Sequence, residues 1–341
     1  MCLASRTYLS HSYGELILSD KPKVLVLVPL EDDLLDQIRQ TCEVDVLESS
    51  TPRPDLLSAL HNINGVLVSP RVPADAAFFE AAPELRVLSS HSVGYDPFDI
   101  SAATKHGVVV CNTPGVLTAA VANLTMALTF ALTLRLRDNG HFVRSGGWAR
   151  REKPPALGHD VQGKTFGVVG FGRIGQEVTR RMQALGMKTV WYDVFETPHP
   201  DAPESMYRPM EDLLRESDFV SLHTNLDDST RHLIGAKEVA LMKSSAYLIN
   251  TARGGLVDQT ALTEALRNDV IAGAGLDVLE SEPPAEDDPV FSLPNVVCFP
   301  HIGTATEETR RLMRELAVRN LIAVLAGEKP PASVNPEVLD A

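Results

Sequence analysis

The chain has few cysteines, and their spacing excludes the common cysteine-based sites. The four cysteines among its 341 residues are Cys2, Cys42, Cys111 and Cys298, and no two of them form a CxxC pair. The pattern therefore predicts neither a metal site nor a redox motif. Cys111 and Cys298 lie in apolar runs, where cysteine usually acts as a small buried hydrophobe. This usage favours a reducing, cytoplasmic setting.

Long apolar runs are also missing, so the sequence predicts no membrane partner. The most apolar stretch, residues 118–134, is interrupted by Asn123 and is shorter than the roughly 20 residues that a bilayer core requires. We expect it to be a buried helix. Residues 1–20 lack the continuous apolar stretch of a signal peptide. We interpret them as a loose extension, with a weak organelle presequence as the alternative.

The chain has fewer basic than acidic residues, and this balance bears on its possible partners. With 31 basic and 45 acidic residues, the formal net charge is −14. An acidic chain repels phosphate backbones, so nucleic acid is not an expected partner. The length suits two domains, and a composition of 44% hydrophobic and 22% charged residues is typical of a soluble enzyme.

The sequence does contain a regular alternation of strand and helix patterns. Short runs rich in valine and leucine lack polar alternation, which is typical of strands buried on both faces. The predicted strands are residues 24–28, 66–68, 85–88, 108–111, 166–169, 189–192, 219–222, 247–249, 273–276 and 296–299. Helical patterns lie between many of them, including one long helix over 118–137 and a last helix over 306–326. The alternation predicts an α/β fold of two doubly wound, parallel-sheet, Rossmann-like domains.

A glycine-rich turn between a strand and a helix marks a dinucleotide site. Gly170, Gly172 and Gly175 have the G-x-G-x-x-G spacing and follow an apolar strand. The first glycine of this motif permits a tight turn, the second lets a pyrophosphate approach, and the third lets the helix pack closely. The next strand ends in Asp193, close to the spacing expected for an acid on the adenosine ribose. A carboxylate there would repel a 2′-phosphate, so the sequence predicts NAD, with NADH preferred over NADPH.

The position of this turn divides the chain. We expect an NAD-binding domain over residues 118–305. Residues 22–117 would form the substrate-binding domain, together with the last helix and the segment after it, 306–334.

Polar side chains that suit the reduction of a keto acid follow three later strands. Arg253, the pair Glu280 and Glu282, and His301 each come after a predicted strand, where open α/β sheets bind ligands. Arginine has a fork of donors that matches planar oxygens, and histidine titrates near neutrality. A carboxylate beside the imidazole would stabilise its protonated form and fix its tautomer. These residues could bind a carboxylate, polarise a ketone and supply a proton.

These segments resemble the D-isomer-specific 2-hydroxyacid dehydrogenase family, and most closely its glyoxylate/hydroxypyruvate reductase branch. The resemblance runs from about Lys23 to Val334, and the segments occur in the family's order. They are Ser92-Val-Gly-Tyr-Asp, Val168-Val-Gly-Phe-Gly-Arg-Ile-Gly, Val220-Ser-Leu-His-Thr, Asn250-Thr-Ala-Arg-Gly-Gly, Leu276-Asp-Val-Leu-Glu-Ser-Glu-Pro and Pro300-His-Ile-Gly-Thr-Ala-Thr. The resemblance implies an active site in the cleft between the two domains and a homodimer formed through the cofactor domain.

The resemblance also implies the reaction, which is NADH-dependent reduction of a small 2-keto acid to the D-2-hydroxy acid. Arg253 would bind the substrate carboxylate and carbonyl oxygen. His301 would be the acid in reduction and the base in oxidation. Glu282, rather than Glu280, matches the partner of the histidine, because it directly precedes a proline.

Further residues would bind the substrate and the cofactor by the same resemblance. Backbone N–H groups at Val93 and Gly94 would hold the substrate carboxylate. The residues that would contact the cofactor, besides the three glycines, Asp193 and His301, are Arg173, Ile174, Thr224, Thr251, Ala252, Asp277 and Gly303.

Several positions depart from the family's usual pattern or are open to two interpretations. Asn123 stands where many relatives have glutamate, and Leu279 replaces a common phenylalanine. Trp148 resembles a residue near the substrate mouth and the dimer contact, and ordinary interface packing explains it equally well. We expect the substrate tail to be lined by residues 68–71 and Trp148.

Three other functions could use the same scaffold. Formate dehydrogenases of this superfamily pair glutamine with the histidine, so Glu282 argues against that branch. Phosphite oxidation remains open. An NAD-sensing corepressor similar to C-terminal-binding proteins would keep the same arginine, glutamate and histidine, so these motifs do not separate it from an enzyme.

Overall fold

The computed structural model describes residues 21–195 and 205–340, which form two β-sheets. The strands are β1 (Lys23–Val26), β2 (Glu43–Val46), β3 (Gly65–Val68), β4 (Val87–Ser90), β5 (Val109–Cys111), β6 (Thr165–Val169), β7 (Lys188–Tyr192), β8 (Met206–Tyr207), β9 (Phe219–Leu222), β10 (Tyr247–Asn250), β11 (Gly273–Leu276) and β12 (Val296–Cys298). The first sheet has the order β2-β1-β3-β4-β5, and the second has the order β12-β11-β10-β9-β6-β7-β8. Neighbouring strands are parallel in both sheets. The predicted α/β, doubly wound fold class is confirmed. The predicted extension, residues 1–20, lies outside the described residues.

Helices connect the strands and cover the sheets. They are α1 (Asp32–Thr41), α2 (Arg53–Ala59), α3 (Ala76–Glu80), α4 (Ile100–Lys105), α5 (Thr118–Thr133), α6 (Leu136–Arg144), α7 (Arg173–Ala184), α8 (Met210–Glu216), α9 (Ala236–Leu241), α10 (Gln259–Arg267) and α11 (Glu307–Leu325). Alternate residues of one strand belong to different apolar cores: Leu25 packs in one cluster, and its neighbours Val24 and Val26 pack in another. Since side chains alternate between the faces of a sheet, each sheet is buried on both sides.

Two strands were not predicted from the sequence, because neither contains a buried apolar run. β2 reads Glu-Val-Asp-Val, and its residues are exposed or half-buried at the edge of the first sheet. β8 has only two residues, at the edge of the second sheet. An edge strand needs fewer apolar residues than a central one, so the pattern that predicted the others fails here.

The prediction of a single helix over 118–137 was wrong. α5 ends at Thr133, Arg135 takes a left-handed conformation with φ of 51°, and α6 begins at Leu136. The Arg137 guanidinium donates to the carbonyl of Val296 at 2.7 Å, which fixes α6 against the end of the second sheet. No single helix in the described ranges has the length and apolarity to cross a bilayer. α5 and α6 meet those criteria only when counted together, and they are bent by 64°.

The last helix returns to the first sheet after the chain has built the second. Ser89 Oγ donates to the Ala317 carbonyl at 2.8 Å, so α11 runs across β4. Beyond α11, the buried Asn335 accepts from the Val110 N–H at 2.8 Å and donates to the Val108 carbonyl at 2.9 Å. The first sheet therefore carries both the N-terminal part and the C-terminal part of the described chain.

Candidate active site

The side chains singled out in the sequence meet at the carboxyl ends of three adjacent strands. Arg253 follows β10, Asp277 follows β11 and His301 follows β12. These strands are parallel neighbours, so their carboxyl ends share one edge of the second sheet. The loop after β4 of the first sheet reaches the same place, because Arg253 Nε donates to Asp96 Oδ1 at 2.9 Å. The site therefore lies between the two sheets.

Arg253 lies across the backbone of Gly94. Its Nη1 donates to the Ala252 carbonyl at 2.8 Å, and its Nε is held by Asp96. A Cβ atom at Gly94 would lie 1.3 Å from Arg253 Nη2. Only glycine leaves room for the guanidinium here, so the arginine and the predicted carboxylate-binding loop are in direct contact.

Two polar side chains that the sequence prediction missed support this contact. Asp96 orients the guanidinium, and Asn112 Nδ2 donates to the Val93 carbonyl at 2.8 Å. Asp96 is the last residue of the family segment Ser92-Val-Gly-Tyr-Asp, and this position could have indicated its role. Asn112 lies just beyond β5 and had none, because its role depends on which strands are neighbours.

His301 and Glu282 form a close pair. His301 Nδ1 lies 2.7 Å from Glu282 Oε2, and Glu282 Oε1 accepts from the Leu279 N–H at 3.2 Å. The imidazole is half-exposed, and within the described residues its Nε2 has no hydrogen-bond partner. The Glu280 carboxylate does not contact His301; its Oε1 lies 2.6 Å from His232 Nε2. The geometry thus places Glu282, rather than Glu280, against His301.

The charge of Glu282 is maintained by its surroundings. Burial is the largest influence and on its own raises the pKa of this carboxyl. The hydrogen bond and charge of His301, the Leu279 N–H and the charge of Arg253 outweigh burial, so the pKa of Glu282 is below its ordinary value. The carboxylate is therefore ionised at neutral pH, beside the ring nitrogen that it orients.

Asp277 holds the backbone that follows His301. It is buried, with 1% exposure, and its oxygens accept from the Ile302 N–H at 2.7 Å and the Gly303 N–H at 2.8 Å. The His301 N–H donates to the Asp277 carbonyl at 2.8 Å, and His301 takes a left-handed φ of 54°. Burial raises the pKa of Asp277 above its ordinary value, against the lowering effect of these N–H donors. Asp277 thereby fixes the unusual turn that presents the imidazole.

The glycine-rich turn forms an open cradle at the start of α7. Gly170 has a φ of 92°, and a Cβ there would lie 2.6 Å from the His223 carbonyl carbon. A Cβ at Gly175 would lie 2.1 Å from the Gly170 carbonyl oxygen, whereas one at Gly172 would meet nothing within 4 Å. The space over Gly172 and the free N–H groups of the helix end fit a dinucleotide pyrophosphate.

Asp193 lies beside this cradle at the end of β7. Its Oδ2 accepts from the Phe171 N–H of the glycine turn at 2.6 Å. The predicted ribose-binding acid and the predicted pyrophosphate turn are thus directly linked. On the other side, Thr224 follows β9 next to the half-buried His223, whose pKa is lowered to about 3 by desolvation of its ring. His223 is therefore neutral and supplies no charge to the site.

The other predicted cofactor residues surround the same cleft. Arg173 and Ile174 open α7, and Ile174 packs in an apolar cluster with Val93 of the other sheet's loop. Thr251 Oγ1 lies 3.1 Å from Thr125 Oγ1 of α5. The Ala252 N–H donates to Asn250 Oδ1 at 3.0 Å. The predicted residues therefore lie at the carboxyl ends of strands of the second sheet, on the same edge as Arg253 and His301.

Two positions flagged in the sequence lie outside this cleft's contacts. Asn123 accepts a hydrogen bond from Arg181, which joins α5 to α7. Trp148 is 71% exposed, and its apolar neighbours on and after α6, Val143 and Leu157, are also exposed.

Comparison with known proteins agrees with this geometry. Residues 126–303 match the family described as "D-isomer specific 2-hydroxyacid dehydrogenase, NAD binding domain". The chain is 44% identical over 94% of its length to the glyoxylate reductase of Thermococcus gammatolerans, of which it covers 97%.

Solved structures give the same result. The TT0316 protein from Thermus thermophilus is 42% identical, with a TM-score of 0.84 over 92% of this chain and 99% of that one. An NADPH-dependent glyoxylate/hydroxypyruvate reductase from Sinorhizobium meliloti, in complex with NADP and malonate, is 31% identical, with a TM-score of 0.83 over 92% of this chain and 97% of that one.

The chain therefore belongs to the D-isomer specific 2-hydroxyacid dehydrogenase family. It is an oxidoreductase whose second sheet belongs to a nicotinamide-cofactor domain. The family resemblance stated from the sequence motifs is confirmed.

The contact between Gly94 and Arg253 gives a direct test of the site. We expect Gly94→Ala to displace the guanidinium and to lower kcat/KM for 2-keto acids by about tenfold or more, since small misplacements of binding groups are costly. Affinity for the reduced cofactor, measured by fluorescence, should stay within about twofold. Gly235→Ala is the control, because the nearest atom to a Cβ there belongs to the flexible Glu238 side chain, at 3.4 Å. Equal activity of the two variants would contradict the placement of Arg253.

Proposed function

We propose that this protein reduces a small 2-keto acid of the glyoxylate or hydroxypyruvate type to the D-2-hydroxy acid, with NADH as the hydride donor. The observation that carries the proposal is the convergence of Arg253 and the Glu282–His301 pair on one cleft. The glyoxylate reductase named among its relatives supports the substrate class. The contact of a glutamate, rather than a glutamine, with His301 argues against a formate dehydrogenase.

Arg253 and the loop after β4 are proposed to bind the substrate carboxylate. The Nη2 atom of Arg253 lies over Gly94, so the guanidinium and the N–H groups of Val93 and Gly94 form one set of donors. A carboxylate accepts well from such a fork. Arg253 would also polarise the carbonyl oxygen and stabilise the negative charge that develops there.

His301 is proposed to supply the proton. Its Nδ1 is engaged by Glu282, which leaves Nε2 to donate to the carbonyl oxygen. Bound nicotinamide would supply the hydride that adds to C2. The electron pair of the carbonyl π bond would move to the oxygen, and the oxygen would take the proton from Nε2. Before the proton is transferred, the ionised Glu282 would stabilise the protonated imidazole. In oxidation, neutral His301 would accept the proton.

Asp193 is proposed to set a preference for NADH. The glycine turn, Arg173 and Ile174 would bind the pyrophosphate, and Asp193 would accept bonds from the adenosine ribose hydroxyls. The remaining residues that would line the cofactor are Thr224, Thr251, Ala252, Asp277, His301 and Gly303. A relative from Sinorhizobium meliloti is NADPH-dependent, so the scaffold does not dictate the choice. The carboxylate beside the Phe171 N–H is the feature that favours NADH here.

A homodimer is proposed to form through the exposed apolar residues of the cofactor domain. Leu136 and Val143 of α6, with Trp148 and Leu157 beyond it, are each more than half exposed. Four exposed large apolar side chains within one segment of the chain support the proposed contact with a second subunit. A cytoplasmic location stays a prediction.

The proposed reaction is tested by oxidation of NADH across a panel of 2-keto acids. We expect turnover with glyoxylate or hydroxypyruvate, and His301→Ala should lower kcat by about 10² or more while NADH binding is kept. His159→Ala is the control for loss of a histidine, because His159 is exposed and lies on the segment between α6 and β6. Tight NADH binding by the wild-type protein without turnover of any keto acid would contradict the proposal and favour an NAD-sensing role.

The cofactor preference is tested by Asp193→Arg. Replacing the acid by a base removes the ribose acceptor and adds a partner for a 2′-phosphate, so the ratio of kcat/KM for NADH to that for NADPH should fall by about tenfold or more. Asp212→Arg makes the same charge change on the exposed face of α8 and serves as the control. An unchanged ratio in Asp193→Arg would show that Asp193 does not contact the ribose.

The Glu282–His301 pair predicts the pH dependence of reduction. Because its pKa is lowered, Glu282 keeps its charge below its ordinary titration range, so the rate of reduction should hold as the pH falls from neutrality toward that range. Glu282→Gln removes this carboxylate charge from beside the proposed proton donor, so kcat for reduction should fall by about tenfold or more around neutral pH. Glu264→Gln on α10 is the exposed control. A profile for Glu282→Gln that matches wild type would contradict the assigned proton donor.

A further inference from the structure

A second histidine–glutamate pair lies beside the first and has no part in the proposed reaction. His232 Nε2 lies 2.6 Å from Glu280 Oε1. Glu280 is two residues before Glu282 on the loop after β11, so this short segment is held between two imidazoles. The His232 and Glu280 side chains are 42% and 35% exposed. A histidine–carboxylate contact so exposed adds little to stability, so stability alone does not account for its geometry.

Glu280 joins the loop that carries Glu282 to the loop that carries Arg253. A Cβ at Gly254, the residue after Arg253, would lie 1.9 Å from the Leu279 carbonyl oxygen and 2.5 Å from the Glu280 nitrogen. The backbones of the two loops are therefore in direct contact. Any movement of Glu280 would be transmitted to both Glu282 and Arg253.

Gln259, at the start of α10, fixes the other side of Glu280. Its Oε1 accepts from the Glu280 N–H at 2.9 Å, and its own N–H donates to Glu280 Oε2 at 3.4 Å. Gln259 Nε2 in turn donates to Asp288 Oδ2 at 2.7 Å. The Glu280 carboxylate is thus placed by α10 on one side and by His232 on the other.

His232 contacts both loops through different atoms. Its N–H donates to the Gly255 carbonyl at 2.8 Å, on the loop that carries Arg253, and its imidazole reaches Glu280. The residue takes a left-handed conformation, with φ of 54°. This conformation is uncommon for residues other than glycine and is found where surrounding contacts require it. Here it lets one residue bind two loops.

We propose that His232 and Glu280 are positioning residues, which hold the loops of Arg253 and Glu282 in the arrangement that the reaction needs. The inference rests on the proposed function. The pair keeps Glu282 against His301 and keeps the Arg253 guanidinium over Gly94. Displacement of binding or proton-transfer groups by about 1 Å can cost up to 10² in rate, so a weak surface pair can matter greatly to turnover.

The test compares Glu280→Ala and His232→Asn with the conservative Glu280→Gln. Asparagine tolerates the left-handed conformation but is too short to reach Glu280, and the Glu280→Gln side chain can still accept from the imidazole. We expect the first two variants to lower kcat for the keto acid by about tenfold. Their cofactor affinity should stay within about twofold, while the KM for the keto acid should rise by about twofold or more, because the loops of Glu282 and Arg253 are displaced together. Glu280→Gln should keep most of the wild-type rate.

Lys237→Ala is the matched control, because it removes an exposed pair whose partner, Glu211, belongs to α8 and to neither loop. Thermal unfolding is followed for every variant, and His232→Asn decides the outcome if Glu280→Ala does not fold. Variants that lose stability but keep the wild-type kcat and KM for the keto acid would overturn the proposal. If the wild-type protein reduces no keto acid, the proposed function fails and this inference fails with it. An active wild type with unaffected variants refutes this inference alone.

Discussion

The contact of Arg253 with the backbone of Gly94 is the constraint on which the rest of the site depends. It joins the loop after β10 of one sheet to the loop after β4 of the other, and it is possible only because residue 94 has no side chain. Asp96 holds the same guanidinium at 2.9 Å, so the contact has one orientation. The contact thus brings the loops of the two sheets together at the cleft in which we propose that the substrate carboxylate binds.

Each charged group of the cleft is fixed by an oppositely charged or hydrogen-bonding neighbour. Glu282 sets the tautomer of His301, and Asp277 takes up the two N–H groups that follow it. Burial is the largest influence on both acids and raises both pKa values. At Glu282 the hydrogen bond and charge of His301, the Leu279 N–H and the charge of Arg253 outweigh burial, whereas at Asp277 the N–H donors do not. The two acids are therefore suited to different tasks, one to hold backbone and the other to balance a proton.

The sequence predicted those features that depend on short segments. Central strands buried on both faces read as apolar runs, and the glycine turn has a fixed spacing, so the fold and the residues of the cleft were accessible. Features that depend on contacts between residues distant in the sequence could not be predicted in this way. β2 is an exposed edge strand, and α5 ends at Thr133 where α6 turns toward the second sheet. Asn112 and His232 gain their importance only from contacts that the fold creates, with Val93 and with Glu280.

The central claim is that this cleft directs a hydride to C2 of a keto acid. The most direct measurement is mass spectrometry, after chiral chromatography, of the product formed from hydroxypyruvate with NADH that carries deuterium at both C4 positions of the nicotinamide. The account predicts one deuterium on C2 of the product and the D configuration at that carbon. Product without deuterium at C2, or of the opposite configuration, would contradict it.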